Sequence, residues 1–281
     1  MKDVVLQTDF GTGSLSSNVM HGVCAMVSDE LKVHDGNHDV VPFDVLNASD
    51  SLMYQIPYWP KGTVFVSVVD PGVGTKRKSC AALLSNGSYV VTPDNGTLTY
   101  VKDMIGIEAV REIDESINRL PGSQDIHIFH GRDVYAYCAA RLAAGVISFE
   151  EVGPEYSTDE IVCADYIHPE VSEGCVTGMI NEASHHFGLV GTNIPFNYLE
   201  KAGIAYGDTV TVTAEHEGAL VMNETMKVER TFGCVEAGEP LLFQSEMRTV
   251  MLAINRGNAA KKWNLESGTA WRLTARKENN E

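Results

Sequence analysis

The sequence predicts an α/β fold in two parts: an N-terminal α/β domain with a largely parallel sheet, then a smaller antiparallel β domain. Two observations carry this. Up to about residue 145, short β-branched runs alternate with helical periodicity, which is the order of strand–helix–strand units. From residue 171 onward, short apolar runs recur at close spacing, which reads as an antiparallel barrel or sandwich. The expected divisions are an α/β domain over 1–152, a linker over 153–170 with Gly153-Pro154 and several acidic residues, and a β domain over 171–281.

In chain order, residues 4–7 form a buried strand that ends in Thr8-Asp9-Phe10-Gly11-Thr12. Val19, Val23, Met26 and Val27 give residues 16–31 a helical spacing. His34, Asp35, His38 and Asp39 superficially suggest a metal cluster. With Gly36 and Asn37 between them and no convergent partners, a strand-to-turn segment is the simpler reading, and no metal is expected. Pro42-Phe43-Asp44-Val45 opens a helix that runs through Tyr54. Residues 64–69 (VFVSVV) are a near-continuous apolar run, a strand buried on both faces. It ends on Asp70, and Pro71-Gly72-Val73-Gly74 then forces a tight turn. A carboxylate there stands where open α/β sheets bind ligands, and Arg77 is close enough to return to it. Residues 81–84 and 89–92 read as a hairpin around Asn86-Gly87, followed by the polar turn Pro93-Asp94-Asn95-Gly96. Residues 126–133 (IHIFHGRD) lead into an alanine-rich helix over 135–144. In the second part, strands are expected at 176–180, 209–213, 241–243, 250–254 and 270–274.

Composition narrows the function. Hydrophobic content of 44% and charged content of 21% are those of a soluble globular chain. Lys and Arg number 21 against 38 Asp and Glu, a formal net charge of −17 that disfavours DNA or RNA and favours a cationic ligand. No stretch resembles a signal peptide. The longest apolar segment, around 136–149, contains Arg141 and is too short to span a bilayer, so no membrane partner is expected. Six cysteines without a CxxC pair suggest reduced thiols and a cytoplasmic protein.

Familiar chemistry motifs are missing. Gly72-x-Gly74 lacks the rest of a dinucleotide fingerprint, no Walker lysine follows a glycine-rich loop, and there is no Gly-x-Ser-x-Gly elbow. His185-His186 reads as part of a solvated loop. What remains is a set of polar residues at strand ends: Asp9, Asp70, Arg77, Asp94, Asn95 and His130. An Asp, an Arg and a His brought together could hold and deprotonate a water molecule.

Taken with TDFGT at 8–12, PFDV at 42–45, GTVFVSVVDPGVGTKR at 62–77, PDNG at 93–96 and FHGRD at 129–133, the chain resembles the S-adenosyl-L-methionine hydroxide adenosyltransferases, relatives of the fluorinase and chlorinase. FGLVGTNI at 187–194, LEKAGIAYG at 199–207 and AINRGNAA at 253–260 extend the resemblance over nearly the whole chain. It implies a C-terminal antiparallel β-barrel, a homotrimer with sites between subunits, and hydrolysis of S-adenosylmethionine to adenosine and methionine by in-line attack at ribose C5′, with no cofactor. The family's Asp-Arg-His set falls on Asp70, Arg77 and His130. The insertion that halogenating relatives carry after the central strand is absent, which favours water or hydroxide as nucleophile. By the same resemblance, Asp9 would hold the ribose hydroxyls, Phe43 and Phe232 would wall the ribose or adenine, and Asn255 and Arg256 would face the adenine edge. Asn95, Phe187 and Ser245, at matching motif positions, complete the expected substrate contacts.

Three positions depart from the family pattern. Leu189 stands where an asparagine contacts adenine, and Glu246 follows Ser245 where relatives have Arg or Gly. The aspartate expected to bind the methionine amine is missing, with Glu182 as its candidate substitute. These leave two alternatives to the hydrolase reading: a non-catalytic adenosine- or nucleoside-binding protein of the same fold, or the same chemistry on an altered substrate.

Overall fold

Strand β1 (Asp3–Thr8) shows why the N-terminal sheet forms as it does. Its side chains alternate between two apolar layers: Val4 and Leu6 join one core, and Val5 joins the other. A strand clothed on both faces is apolar through its middle, here Val4, Val5 and Leu6, so its sequence shows no polar alternation there. The computed structural model describes residues 3–278, divided into two compact units between Ala164 and Asp165.

In the first unit, α1 (Leu15–Val27) follows β1, and β2 (Lys32–Asp35) leads through α2 (Val45–Gln55) to β3 (Val64–Val68). A hairpin of β4 (Ser79–Leu84) and β5 (Tyr89–Pro93) comes next, then α3 (Thr99–Met104), β6 (Ile107–Glu112), the short α4 (Glu115–Asn118), α5 (Tyr137–Ala144) and β7 (Glu155–Tyr156). The strand order is β2-β1-β3-β5-β4-β6-β7. The first four strands pair in parallel and the rest extend the sheet antiparallel. Residues of α1 and α5 pack into the core on one face, and those of α2 and α3 into the core on the other.

The helix expected over 16–31 ends at Val27, where the extended backbone of Ser28 terminates it. Helix α2 begins at Val45 because the Asp44 side chain caps it, accepting from the N–H groups of Leu46 (3.0 Å) and Asn47 (2.9 Å). We expect Asp44→Ala to lower the unfolding free energy by about 1 kcal/mol, the usual value of such a cap, measurable by urea denaturation.

Residues 153–164, within the expected linker, belong to the first unit. β7 pairs with the edge of β6, and Asp94 accepts from the Tyr156 hydroxyl and the Val162 N–H, each at 2.9 Å. Burial raises the Asp94 pKa above the ordinary carboxylate value, partly offset by those two donors.

The second unit contains β8 (Glu170–Ser172), β9 (Cys175–Ala183), β10 (Val190–Pro195), α6 (Asn197–Lys201), β11 (Thr209–His216), β12 (Ala219–Val228), β13 (Pro240–Gln244), β14 (Thr249–Ile254), α7 (Ala259–Lys262) and β15 (Trp271–Lys277). Seven strands run in the order β10-β14-β13-β12-β11-β15-β9, and pairing of β9 with β10 closes them into a barrel, with β8 added on β9. Closure removes the exposed edges that an open antiparallel sheet would present. One seam differs from the antiparallel expectation: β12 and β13 run parallel, joined through residues 229–239 instead of a tight hairpin. Val176, Ile180, Val210, Val212, Leu252 and Leu273 belong to the barrel core.

Candidate active site

The site lies where the sheet changes direction. From β1 the chain crosses to β2 on one side, then returns past β1 to β3 on the other, so the carboxyl ends of β1 and β3 lie beside each other at a topological switch point. Their register pairs Thr8 with Val68, which puts the next residues, beginning with Asp9 on one strand and Val69-Asp70 on the other, at one end of the sheet. A cleft of about 240 Å³ opens there, and Asp9, Phe43, Asp70, Ile128 and His130 are among its lining residues.

Asp70 is tightly held. Arg77 grips it with both prongs of the guanidinium, Nε to Oδ1 at 2.8 Å and Nη2 to Oδ2 at 2.5 Å, with side chains only 6% and 10% exposed. Arg77 also donates to Ser79 Oγ (3.0 Å) and faces His130 Nδ1 (2.8 Å). Burial opposes the charge on Arg77, but the hydrogen bond to Asp70 and nearby negative groups leave its pKa raised. The turn between Asp70 and Arg77 depends on Gly74. Its φ of +77° disfavours any other residue, and a Cβ there would stand 2.9 Å from the His127 carbonyl oxygen, which leaves no room for a side chain.

His130 precedes a π-helical turn over Gly131–Ala136, not the plain α-helix that the alanine-rich run suggested. In an α-helix, residues five apart lie roughly 140° apart around the axis. The wider π turn brings His130 and Tyr135 to one side, ring centroids 6.4 Å apart, so that the Tyr135 hydroxyl donates to Asp70 Oδ2 at 3.1 Å. Burial, and then the negative charge of Asp70, hold the Tyr135 pKa well above its ordinary value, so it remains a donor. Gly131 lets this turn approach β3, since a Cβ there would stand 3.0 Å from Val68 Cγ1.

Asp9 accepts the Phe43 N–H through Oδ2 at 3.0 Å. Phe43 has the left-handed φ of 67°, uncommon for a bulky residue, and its ring is 72% exposed at the cleft. The structure therefore brings Asp9, Phe43, Asp70, Arg77 and His130 together. Asn95 is used differently: its Nδ2 donates to the Val69 carbonyl at 2.9 Å and its Oδ1 accepts from Thr97, which fixes the strand end leading into Asp70. It is not among the residues lining the cleft.

The remaining predicted residues lie in the second unit. Phe232 packs on Phe243 (centroids 5.0 Å apart) in a small cluster with Val235 and Leu189. The apolar Leu189 at a position expected to be polar thus has a packing partner set. Asn255 Nδ2 donates to the Val235 carbonyl at 2.8 Å, joining this cluster to the turn at Arg256. Phe187 sits 68% exposed on a turn that is pinned to the segment after Arg256, because Ala259 N–H donates to the Gly188 carbonyl and Asn258 Nδ2 to that of His185. Ser245 is buried and closes the β13–β14 turn through Thr249 (Oγ to Oγ1, 2.8 Å). Glu182 keeps contact with solvent as a residue, yet crowding of its carboxyl, and then the neighbouring Glu246, raise its pKa. In the segment that superficially suggested a metal cluster, Asp35 Oδ1 is shared by hydrogen-bond contacts to His21 (2.6 Å) and His38 (2.9 Å).

Sequence reasoning misses Tyr135, Arg119 and Glu115. Tyr135 stands in view beside FHGRD but reads as nothing more than the first residue of a helix. Arg119 and Glu115 carry no motif, and only the fold shows that Arg119 Nη2 lies 3.1 Å from His130 Nε2.

Known proteins resemble this chain over nearly its whole length. The family described as SAM hydroxide adenosyltransferase N-terminal domain matches residues 4–153, and the corresponding C-terminal domain matches 185–272. The (R)-S-adenosyl-L-methionine hydrolase of Thermus thermophilus is 32% identical, over 97% of this chain and 100% of its own. The hydrolase of Salinispora tropica is also 32% identical, over 95% and 96% respectively. A fluorinase of Actinoplanes sp. is 28% identical, over 96% and 97%. A solved structure of a conserved protein from Thermotoga maritima superposes with a TM-score of 0.87 at 30% identity, over 97% of this chain and 99% of that one.

Proposed function

Because the chain belongs to the SAM hydroxide adenosyltransferase family, we propose that it hydrolyses S-adenosyl-L-methionine to adenosine and L-methionine. The observation that carries this reading is the buried Asp70, gripped by Arg77 and flanked by His130 and Tyr135, in one cleft with Asp9 and Phe43.

Water or hydroxide attacks ribose C5′ in line with the departing sulfur. The C5′–O bond forms as the C5′–S bond breaks, the electron pair passes to sulfur, and the sulfonium becomes the neutral thioether of methionine. The proton lost by the attacking water goes to solvent. A sulfonium needs no acid to leave, so rate acceleration comes from placing and desolvating the nucleophile. Asp70 accepts a hydrogen bond from that water, and Arg77 and Tyr135 keep the carboxylate from turning away. Asp9 receives the ribose hydroxyls, and the exposed ring of Phe43 covers the sugar. Asn95 supports Asp70 from behind. In the second unit, Phe187, Phe232, Asn255 and Arg256 are the residues we assign to the adenine, and Glu182 and Ser245 those we assign to the methionine arm. A net charge of −17 favours approach of the cationic substrate.

The active assembly is a homotrimer. Phe43 and Ile128, 72% and 83% exposed at the cleft, are the kind of apolar surface a neighbouring subunit covers. A cytoplasmic location suits six cysteines that are all free thiols. Among the described residues, no helix is long and apolar enough to cross a membrane.

The test is turnover of S-adenosylmethionine in water enriched in oxygen-18, followed by mass spectrometry. The expected result is adenosine carrying the label at its 5′ oxygen and unlabelled methionine. Bound adenosine without turnover would leave only a nucleoside-binding protein. One observation favours an altered substrate as the second reading: after burial, the charge of Glu246 raises the Glu182 pKa, and a glutamate at position 246 would repel a methionine carboxylate. In that case a sulfonium nucleoside lacking the carboxylate is cleaved faster than S-adenosylmethionine.

A further inference from the structure

His130 stands between two guanidinium groups. Arg77 Nη2 lies 2.8 Å from its Nδ1, and Arg119 Nη2 lies 3.1 Å from its Nε2. Guanidinium groups only donate, whereas a neutral imidazole offers one acceptor nitrogen and an imidazolium offers none. The ring can therefore satisfy one arginine while neutral and neither once protonated. Protonation would also set a third positive charge between two others.

Arg119 is built into this position. Its Nε and Nη2 hold Glu115 Oε2 at 3.1 and 2.5 Å, and its Nη1 donates to the carbonyls of Ser123 (3.2 Å) and Ile126 (3.1 Å). Four of its five N–H groups thus have acceptors, the fifth faces His130, and its side chain is only 8% exposed. A second, polar cleft of about 440 Å³ opens on this side, lined in part by Glu115, Arg119, His127 and His130. His130 lines both clefts, while Arg119 and Glu115 line only the outer one.

We propose that Arg119, clamped by Glu115, is a positioning residue for the hydrolytic centre, holding a neutral His130 ring against Arg77 so that Arg77 keeps its grip on Asp70. This rests on the hydrolase reading. His130 then serves as a fixed neutral wedge, and the proton of the attacking water is not stored on it. The charged and titratable groups facing His130 are Arg77 and Asp70 from the β3 end, Tyr135 from the π turn, Glu115 from α4 and Arg119 just after it, and His127 across the outer cleft. Burial lowers the His130 pKa most; Arg77 and Arg119 lower it further, while Glu115 and Asp70 oppose.

Opposite responses to two substitutions test the proposal. The side-chain titration of His130 is followed by nitrogen-15 NMR in the full chain, with His130→Gln to assign the signal. Arg119→Gln should move the midpoint up, and Glu115→Gln should move it down. In kinetics with S-adenosylmethionine, activity falls as His130 protonates, so the acid limb should move to higher pH in Arg119→Gln and to lower pH in Glu115→Gln. Misplacing the centre by a fraction of an ångström should lower kcat of Arg119→Gln by roughly tenfold to a hundredfold. KM should barely change, because neither residue lines the substrate cleft. An unmoved His130 midpoint, shifts of the same sign in both variants, or a loss confined to KM would overturn the proposal. Should Arg119→Gln not fold, the near-isosteric Glu115→Gln decides alone, a downward midpoint supporting the proposal and an unmoved one overturning it. A wild-type protein that leaves S-adenosylmethionine intact while the ring shifts oppositely would overturn the hydrolase reading alone.

Discussion

Asp70→Asn is expected to lower kcat for S-adenosylmethionine by roughly two orders of magnitude, the scale of loss when a reacting group is misplaced. Adenosine binding should stay within a few-fold of wild type, because Asp9, Phe43 and the rest of the cleft are unaltered. Asparagine has nearly the shape of aspartate, so the variant isolates charge. It removes the negative acceptor that orients the attacking water, and it turns one prong of the Arg77 pair from charge-assisted to neutral or donor-against-donor. Single-turnover chemistry and isothermal titration with adenosine, run side by side, check the result. A wild-type rate in Asp70→Asn would remove Asp70 from the mechanism. Loss of adenosine binding together with the rate would mean instead that the cleft had collapsed.

The first unit is the more legible part because its signals are local. A strand buried on both faces is a mostly apolar run, as Val4, Val5 and Leu6 of β1 and all of β3 but Ser67 are. Each ends in a carboxylate followed closely by glycine, so Asp9 and Asp70 can be placed at strand ends without knowing the strand order. What the sequence does not supply is the order itself, which makes β1 and β3 neighbours at the point where the crossovers change direction. Strand β6 escapes a sequence reading because it mixes Glu108, Arg111 and Glu112 with apolar residues, and β7 because two residues of an edge strand leave no period to read. In the barrel, β12 is ten residues long but mostly exposed, with its alternation blurred at Ala219, Leu220 and Val221. β10 is equally hard to read because it begins Val190-Gly191-Thr192, with a register shift after Gly191.

The same contrast holds at the site. Arg77 can be paired with Asp70 because it follows only seven positions later, across a tight turn. Arg119 approaches His130 from the extended residue that ends a four-residue helix, and nothing in its local sequence distinguishes it from a surface arginine. Asn95 shows the reverse case. Its position in PDNG marks it as polar and strand-terminal, but both ends of its amide are used by the protein's own backbone and Thr97.

Arg77→Met should weaken both the fold and the reaction, and the two losses can be separated. Breaking a buried ion pair by removing one partner leaves the other charge desolvated, which costs about 3–5 kcal/mol. Asp70, with 6% of its side chain exposed, would then keep only the Tyr135 hydroxyl among the donors that hold it here. Guanidinium denaturation near neutral pH should show that loss. Arg77→Lys supplies the contrast. A lysine restores the positive charge, so much of the stability returns, but a single ammonium cannot grip both carboxylate oxygens and face His130 Nδ1 at once. Its kcat should therefore stay about a hundredfold down, although the protein is folded and binds adenosine. If Arg77→Lys recovered both stability and rate, charge alone would explain the pair, and the forked geometry would have no part in catalysis. If it recovered stability only, orientation of Asp70 is what the guanidinium contributes to the reaction.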